Sequence, residues 1–384
     1  MRDASLSKSE KIIGPGSLIA ILGGGQLGRM TAFAARTMGY RVRVMDPEPA
    51  CPASYVADET IVGRWEDAEA ARRLAEGADV VTLEIEQIGV DALNQVASIA
   101  PLRPGVEPVR IIQDKTLQKT WLAENGFPVG PFRVVRSEAE MLEAVTAFGG
   151  DVYLKVGRGG YDGRGQARAA HGTDFGRVWR ELGGQPCVVE QALDLACEIS
   201  VMAARSPSGE VRAYPASRNH HENQILEWSV LPANVPRELE IAAEALAEAL
   251  ITKLDMVGLL CAELFVTTDG ELFVNELAPR PHNSYHQSER GCETSQFEQL
   301  VRAVCNLPLG STEIVAPAAI ANLLGDLWLN GQPNFAAALE VQGVRLHLYE
   351  KHTPRVGRKM GHLSATGATA EEALERVLEA KRRL

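Results

Sequence analysis

The sequence predicts an α/β protein of two or three domains, and three observations carry that reading. At 384 residues the chain exceeds what one ordinary hydrophobic core organises. Its first hundred residues alternate short apolar strands with helices, the pattern of a parallel sheet covered by helices on its faces. Further on, a lysine-bearing strand runs into a glycine loop over 153–166, and another strand ends in Asn275-Glu-Leu-Ala-Pro-Arg280, which marks a chemically distinct second unit.

Residues 17–22 read as an apolar strand entering Gly23-Gly-Gly-Gln-Leu-Gly28, followed by a helix over 29–38 that stops at Gly39. Further strands are expected at 41–45, ending at Asp46-Pro47, and at 79–85. The Gly23/Gly25/Gly28 spacing matches G-x-G-x-x-G, with Asp46 about 20 residues on, where a dinucleotide fold holds a ribose. The same glycines would serve equally well for a tight turn and close helix packing. A second unit opens near Gln113-Asp-Lys115 with an amphipathic helix ending at Asn125-Gly126, then passes through the glycine-rich stretch 149–184. Strands at 188–193 and 199–204 are expected to flank a turn carrying Glu198. Leu239, Ala242, Leu246, Leu250 and Leu254 form the apolar stripe of a helix over 237–254. The last unit is short and mixed, with a strand at 345–349 and a helix from about Ala370. The expected division is a flexible tail at 1–16, a Rossmann-like domain at 17–112, a nucleotide-binding unit at 113–307 whose lid spans about 133–195, and a C-terminal domain at 308–384.

Hydrophobic content of 45% with 35 glycines and 20 prolines fits a compact enzyme rather than a disordered chain. A formal charge of −11 argues against a nucleic-acid binder, which needs a basic excess to neutralise a phosphate backbone. No apolar run approaches the ~18 residues of a membrane span, and 1–16 lacks the apolar core of a signal segment. The six cysteines show no C-x-x-C and no zinc spacing, and read as buried thiols of a reducing cytoplasm.

The chemistry concentrates in the second unit. Lys155 lies among Val152, Tyr153, Leu154 and Val156, where an ammonium is costly unless it meets an anion such as a nucleotide phosphate. Gly159, Gly160, Gly163 and Gly165 leave the next loop free to close over phosphates and donate backbone N–H groups. The lysine precedes the glycines, so this is not a Walker P-loop. Asp269-Gly270 between alternating apolar residues predicts a two-residue hairpin loop, with Thr268 facing Glu271. That register sets Glu263 directly opposite Glu276, with Cβ atoms about 5 Å apart. Two such carboxylates call for a cation between them. Magnesium fits, and the lack of histidine or cysteine neighbours argues against zinc; the alternative is two solvated glutamates on an edge hairpin. Glu190-Gln191 offers contacts to an adenine edge. Lys351, Arg355, Arg358 and Lys359 form a cationic turn that suits a phosphorylated substrate or a solvated charge run.

Taken together, these residues resemble the ATP-grasp superfamily, and within it the N5-carboxyaminoimidazole ribonucleotide synthetase family, ATP-dependent carboxylases of purine biosynthesis. The resemblance covers nearly the whole chain: 21–30, Gln113-Asp-Lys115, Gly160-Tyr-Asp-Gly-Arg-Gly-Gln166, Asn275–Arg280, His282-Asn-Ser284, Ser295-Gln-Phe297 and Gly357-Arg-Lys-Met-Gly-His362. It implies an ATP-grasp fold with an N-terminal Rossmann-like domain that holds no dinucleotide and a small mixed C-terminal domain. Gln26, Leu27 and Glu84 would hold aminoimidazole ribonucleotide, and Lys351, Arg358 and Lys359 its phosphate. ATP would lie against Lys115, Lys155, Tyr161, Asp162, Gly163, Arg164, Gly165, Gln166, Glu190, Gln191, Leu193, Glu198, His221 and Asn275. Glu263 and Glu276 would hold Mg2+, while Arg280, Asn283 and Lys359 serve catalysis. The implied reaction joins bicarbonate to the ribonucleotide amine through carboxyphosphate, in a homodimer that touches the downstream mutase transiently.

Three departures stand out. Tyr285-His286-Gln287 replaces the family's usual Gly-His-Trp beside the expected carboxylation site. Glu84-Ile-Glu-Gln-Ile88 replaces a more typical Glu-Phe-Glu-Asn/His-Val, and Gly157 stands where an arginine is common. The Glu-Ile-Glu form also occurs in formate-dependent glycinamide ribonucleotide transformylase, the alternative within the superfamily. An NAD(P)-dependent oxidoreductase and a non-catalytic nucleotide sensor are the alternatives outside it.

Overall fold

The computed structural model describes residues 11–160, 165–169, 172–329 and 331–384. Four parallel strands open the chain: β1 (Leu18–Leu22), β2 (Arg41–Asp46), β3 (Glu59–Val62) and β4 (Val80–Leu83), in the order β3-β2-β1-β4. β1 is buried along its whole length, as a central parallel strand covered on both faces must be. The following helix, Gln26–Thr37, starts three residues earlier than the sequence predicts, with Gly25 as its N-cap. Glycines favour a loop here by their own propensity, yet Gly25 caps the helix and Gly28 lies in its first turn.

A small antiparallel sheet comes next: β5 (Phe132–Val135), β6 (Val152–Val156), β7 (Gln166–Ala169) and β8 (Cys187–Gln191), in the order β5-β8-β6-β7. The helices Glu138–Phe148 and Phe175–Glu181 pack on it through a core of its own, which includes Met141, Val145, Leu154, Val178 and Val189.

The third sheet has nine strands: β9 (Leu195–Arg205), β10 (Val211–Ala213), β11 (Ser217–Glu222), β12 (Ile225–Leu231), β13 (Gly258–Thr267), β14 (Leu272–Ala278), β15 (Ala318–Leu324), β16 (Arg345–Leu348) and β17 (Lys359–Thr366). Their order is β14-β13-β9-β11-β12-β15-β17-β16, with β10 paired to β9. The sheet therefore continues through β12·β15 pairing into the last 70 or so residues, so 113–307 and 308–384 share one sheet. Alternation along β13 sorts its two faces. Leu260, Ala262 and Leu264 pack on the helix Arg237–Lys253, while Leu259 and Cys261 face the helix Gln296–Val304 and the N-terminal helix.

Two local expectations are corrected. Glu198 lies inside the eleven-residue strand β9, in register with Asn219 and Phe265, and not in a turn. The polar and cysteine content of 195–198 hides a strand whose pairing on both sides supplies the order. In the β13–β14 hairpin, Thr267 N–H and Gly270 N–H bond across to Glu271 and Thr267, closing a three-residue loop with Gly270 at φ +83°. Phe265 then pairs with Phe273, one residue off the predicted register, until a bulge at Asn275 restores it and sets Glu263 opposite Glu276. The expected pairing of the two carboxylates holds, by way of two irregularities that cancel.

Candidate active site

The described residues singled out by the resemblance line one cavity of about 920 Å³ between the three sheets. Gln26, Leu27 and Glu84 reach it from the N-terminal sheet. Lys115, Lys155, Gly165, Gln166, Glu190, Gln191 and Leu193 come from the small sheet and the helix Lys115–Glu124. The long sheet and the loop after it contribute Glu198, His221, Glu263, Asn275, Glu276, Arg280 and Asn283, and the cationic turn brings Lys351, Arg355, Arg358 and Lys359. Tyr161, Asp162, Gly163 and Arg164 lie outside the described residues.

A buried charge cluster forms the cavity floor. The Glu190 carboxylate stands between Lys119 and Lys155, each ammonium 2.6 Å away, and Lys155 also donates to Asn275 Oδ1 at 2.9 Å. Burial would raise the Glu190 pKa, but Lys155 and Lys119 outweigh it and bring it down to about 2. Burial likewise lowers the Lys119 ammonium, against the attraction of Glu190. The Glu190 side chain is thus committed to two lysines, while its backbone lies in register with Phe132 on β5 and Tyr153 on β6. Lys115 is one helical turn from Lys119 and forms an ion pair with Glu276.

Across the bulged hairpin, Glu263 accepts from His282 Nε2 at 3.1 Å, and His282 Nδ1 meets Ser284 Oγ at 2.8 Å. Burial works to raise the Glu263 pKa; the His282 hydrogen bond and charge hold it far below the usual carboxylate range. A histidine neighbour therefore exists where none was expected, but it acts as a partner to Glu263, and the two opposed carboxylates leave an all-oxygen donor pair suited to a hard cation. Beyond them Arg280 forms a bidentate pair with Glu86, at 2.5 and 3.1 Å. Asn283 sits at the wall with its amide exchanging hydrogen bonds with Asn322, at 3.1 and 2.6 Å. His221 and Glu198 are 2.8 Å apart, and Lys351 Nζ donates to the Lys359 carbonyl at 2.8 Å.

At the N-terminal glycines, a protein carboxylate occupies the helix end where a dinucleotide fold puts pyrophosphate. Glu84 accepts from Gly25 N–H at 2.9 Å and from Gly28 N–H at 3.2 Å. Burial, only partly offset by these two amides, raises its pKa to about 7. Asp46 accepts from Gly24 and Glu48 N–H groups, both at 2.9 Å, and so is tied to its own loop and not to a ribose. A Cβ on Gly28 would stand 2.8 Å from the Gly23 carbonyl oxygen, which is backbone and cannot swing away. Gly28→Ala is expected to destabilise the protein by about 1–3 kcal/mol in urea unfolding.

Three family models match the chain: the ribonucleotide synthetase preATP-grasp domain over 17–113, the ATP-grasp domain over 120–297, and the phosphoribosylaminoimidazole carboxylase C-terminal domain over 318–376. The N5-carboxyaminoimidazole ribonucleotide synthase of Bacillus subtilis is 40% identical over 371 residues, which is 96% of each chain. The chain belongs to the N5-carboxyaminoimidazole ribonucleotide synthetase family. Solved structures agree: an ADP complex of such a synthetase is 39% identical with a TM-score of 0.90, covering 96% of this chain and 97% of that one. The enzyme from Aspergillus clavatus, in complex with ADP and 5-aminoimidazole ribonucleotide, is 30% identical with a TM-score of 0.88, covering 96% and 99%.

The three departures in the sequence have definite surroundings in this structure. Tyr285 is fully buried and does not line the cavity; its hydroxyl lies 2.8 Å from the Ser200 carbonyl and 2.9 Å from that of Pro215, and its ring meets Tyr214 edge-on. Tyr285→Phe is expected to leave turnover unchanged and to cost about 1 kcal/mol in unfolding experiments, the worth of one buried hydrogen bond. Both glutamates of Glu84-Ile-Glu are engaged, one at the helix end and the other on Arg280. Beside Gly157, Arg158 pairs with Asp114 at 3.0 Å. Lys119, Glu86 and His282 are the site residues that sequence reading did not single out. Each had a local signal without a role attached to it: Lys119 lies one turn from Lys115, Glu86 in Glu84-Ile-Glu, and His282 in His282-Asn-Ser284.

Proposed function

We propose that this cavity carboxylates 5-aminoimidazole ribonucleotide at the expense of ATP, as an ATP-dependent ligase of its family. The observation that carries this reading is the continuity of one cavity from the Lys115/Lys155/Glu190 floor to the Lys351–Lys359 turn and Glu84. Two anionic substrates then meet in one enclosure, with charge of the right sign at each end.

In this reading Lys115 and Lys155 bind the nucleotide phosphates, the 160–166 loop covers them, and Glu198 with His221 holds the nucleotide ribose. Lys351, Arg358 and Lys359 receive the 5′-phosphate of the second substrate, whose base and ribose rest on Gln26, Leu27 and Glu84. A bicarbonate oxygen attacks the γ-phosphorus and ADP leaves; the resulting carboxyphosphate passes its carboxyl carbon to the exocyclic amine and releases phosphate. Arg280, fixed by Glu86, stabilises the charge that develops on the transferred groups, and Asn283, braced by Asn322, positions them. Glu263 and Glu276 would hold magnesium, which neutralises phosphate charge when bound. A closed loop keeps water from the labile intermediate.

The same reading makes the enzyme a homodimer of the cytoplasm, in transient contact with the mutase that uses its product. All six cysteines are free thiols, and among the described residues no helix is long and apolar enough to cross a membrane. The deciding measurement is ADP release with magnesium-ATP and aminoimidazole ribonucleotide in CO2-depleted buffer, with and without bicarbonate. Turnover that requires both supports the assignment. Turnover with formate and glycinamide ribonucleotide instead would transfer the chain to the transformylase reaction.

A further inference from the structure

Away from the cavity, three metal-competent side chains converge. His347 on β16 and His362 on β17 are directly opposite in register, their rings stacked with centroids 4.4 Å apart and planes 7° apart. Glu289, from the short helix Ser288–Gly291, brings its Oε2 to 4.0 Å from His347 Nδ1. One donor atom from each of the three lies within 4.8 Å of the other two, and none of the three residues lines the cavity.

His362 is fully buried. Its Nδ1 meets the Tyr349 hydroxyl at 2.7 Å, while its Nε2 has no hydrogen-bond partner. In the tautomer whose Nδ1–H donates to the Tyr349 hydroxyl, Nε2 is left with a bare lone pair, which is costly when buried and which a metal ion can satisfy. Burial and the neighbouring His286 and His347 rings keep the imidazole well below its usual pKa, hence uncharged and able to ligate. His347 has its Nε2 3.4 Å from Ser364 Oγ, which leaves Nδ1 toward Glu289.

We propose that Glu289, His347 and His362 form a second divalent-cation site, separate from the nucleotide cavity, that takes Zn2+ or a similar borderline transition ion. Two imidazoles and one carboxylate suit such ions and select against Mg2+, which demands oxygen donors. Donors around a tetrahedral zinc stand about 3.3 Å apart, so the widest separation must close by at most about 1.5 Å. Parallel rings aim their in-plane lone pairs past one another, so His347 must turn out of its stack on His362. With 30% and 31% of their side-chain surface exposed, His347 and Glu289 have room to rotate, and that open side also supplies the entry path and the remaining coordination position. Arg345 opposes the site, acting on both Glu289 and His347, and Arg290 adds to it at His347; affinity is therefore moderate. Occupancy would fasten the segment that follows Asn283 to the last two strands of the long sheet.

Co2+ is the probe, because its visible absorption reports nitrogen and oxygen coordination directly. The full chain, saturated with magnesium-ADP to occupy the cavity, is titrated with Co2+ and then with Zn2+ in competition. The expected result is one bound equivalent, weakened by more than about tenfold in both Glu289→Gln and His347→Ala, since loss of even an outer-shell partner costs that much. Both variants should retain ADP-forming activity without added transition metal, which also shows that they fold. Equal Co2+ affinity in wild type and both variants would overturn the site, as would the absence of any bound equivalent.

Discussion

Glu276→Gln is expected to reduce ATP turnover by about a hundred- to a thousandfold, the scale seen when one preorganised electrostatic group is removed from an active site. The carboxylate has two partners to lose. It forms an ion pair with Lys115 in this structure, and it faces Glu263 directly across the bulged hairpin, where the pair would hold a magnesium ion. Glutamine keeps the shape and one oxygen but removes the charge, so Lys115 loses its counter-ion and the cation loses half its carboxylate set. The backbone pairing of β13 and β14 does not depend on that charge, and the fold should survive. Steady-state kinetics should show a lower kcat and a higher magnesium requirement. KM for the ribonucleotide should move little, because the Lys351–Lys359 turn lies at another part of the wall. A variant that turns over at the wild-type rate would remove Glu276 from the site.

The largest stability effect is expected at Glu190. Glu190→Ala leaves Lys119 and Lys155 buried beside each other without their shared carboxylate, and breaking a buried ion cluster in this way costs about 3–5 kcal/mol. The pH dependence has a definite sign. Because the folded-state pKa of Glu190 is depressed to about 2, its contribution is complete above the unfolded value near 4.5 and is lost as pH falls toward 2. Urea unfolding at pH 7 should therefore separate wild type and variant widely, and the gap should narrow once the pH drops below about 4.5. A gap that stays constant on acidification would mean that packing, and not charge, supports the site at this position.

Much of this site was legible because its residues carry local signals. A lysine inside an apolar strand, glycines after it, and paired glutamates on a hairpin each imply a partner before any coordinates exist. The hairpin also shows the limit of such reading. Asp269-Gly270 favours a two-residue loop in isolation, but the Thr267 hydroxyl accepts from the Glu271 N–H at 3.0 Å and helps close a longer one. At the bulge, Asn275 accepts a hydrogen bond from Lys155, 120 positions away, a contact that no local window contains. Glu198 was misplaced for the same reason, since polar residues near a strand end look like a turn until both neighbouring strands are known. Glu86 and Arg280 each lie in a segment that stands out in the sequence, but they are 194 positions apart and only the folded chain makes them a pair.

The long sheet also constrains how the protein can be made. β12 ends at Leu231, yet its outer neighbour β15 does not begin until Ala318. At ribosomal rates of about 5–20 residues per second, β12 waits on the order of ten seconds with one row of backbone donors and acceptors bare. Once Asn283 has been added the nascent chain carries the whole nucleotide-facing half of the cavity, so a polypeptide released between there and Ala318 would present ligase residues on an adhesive edge. Shielding of that edge by a chaperone, or rapid destruction of the truncated product, is therefore part of what this architecture demands of its cell.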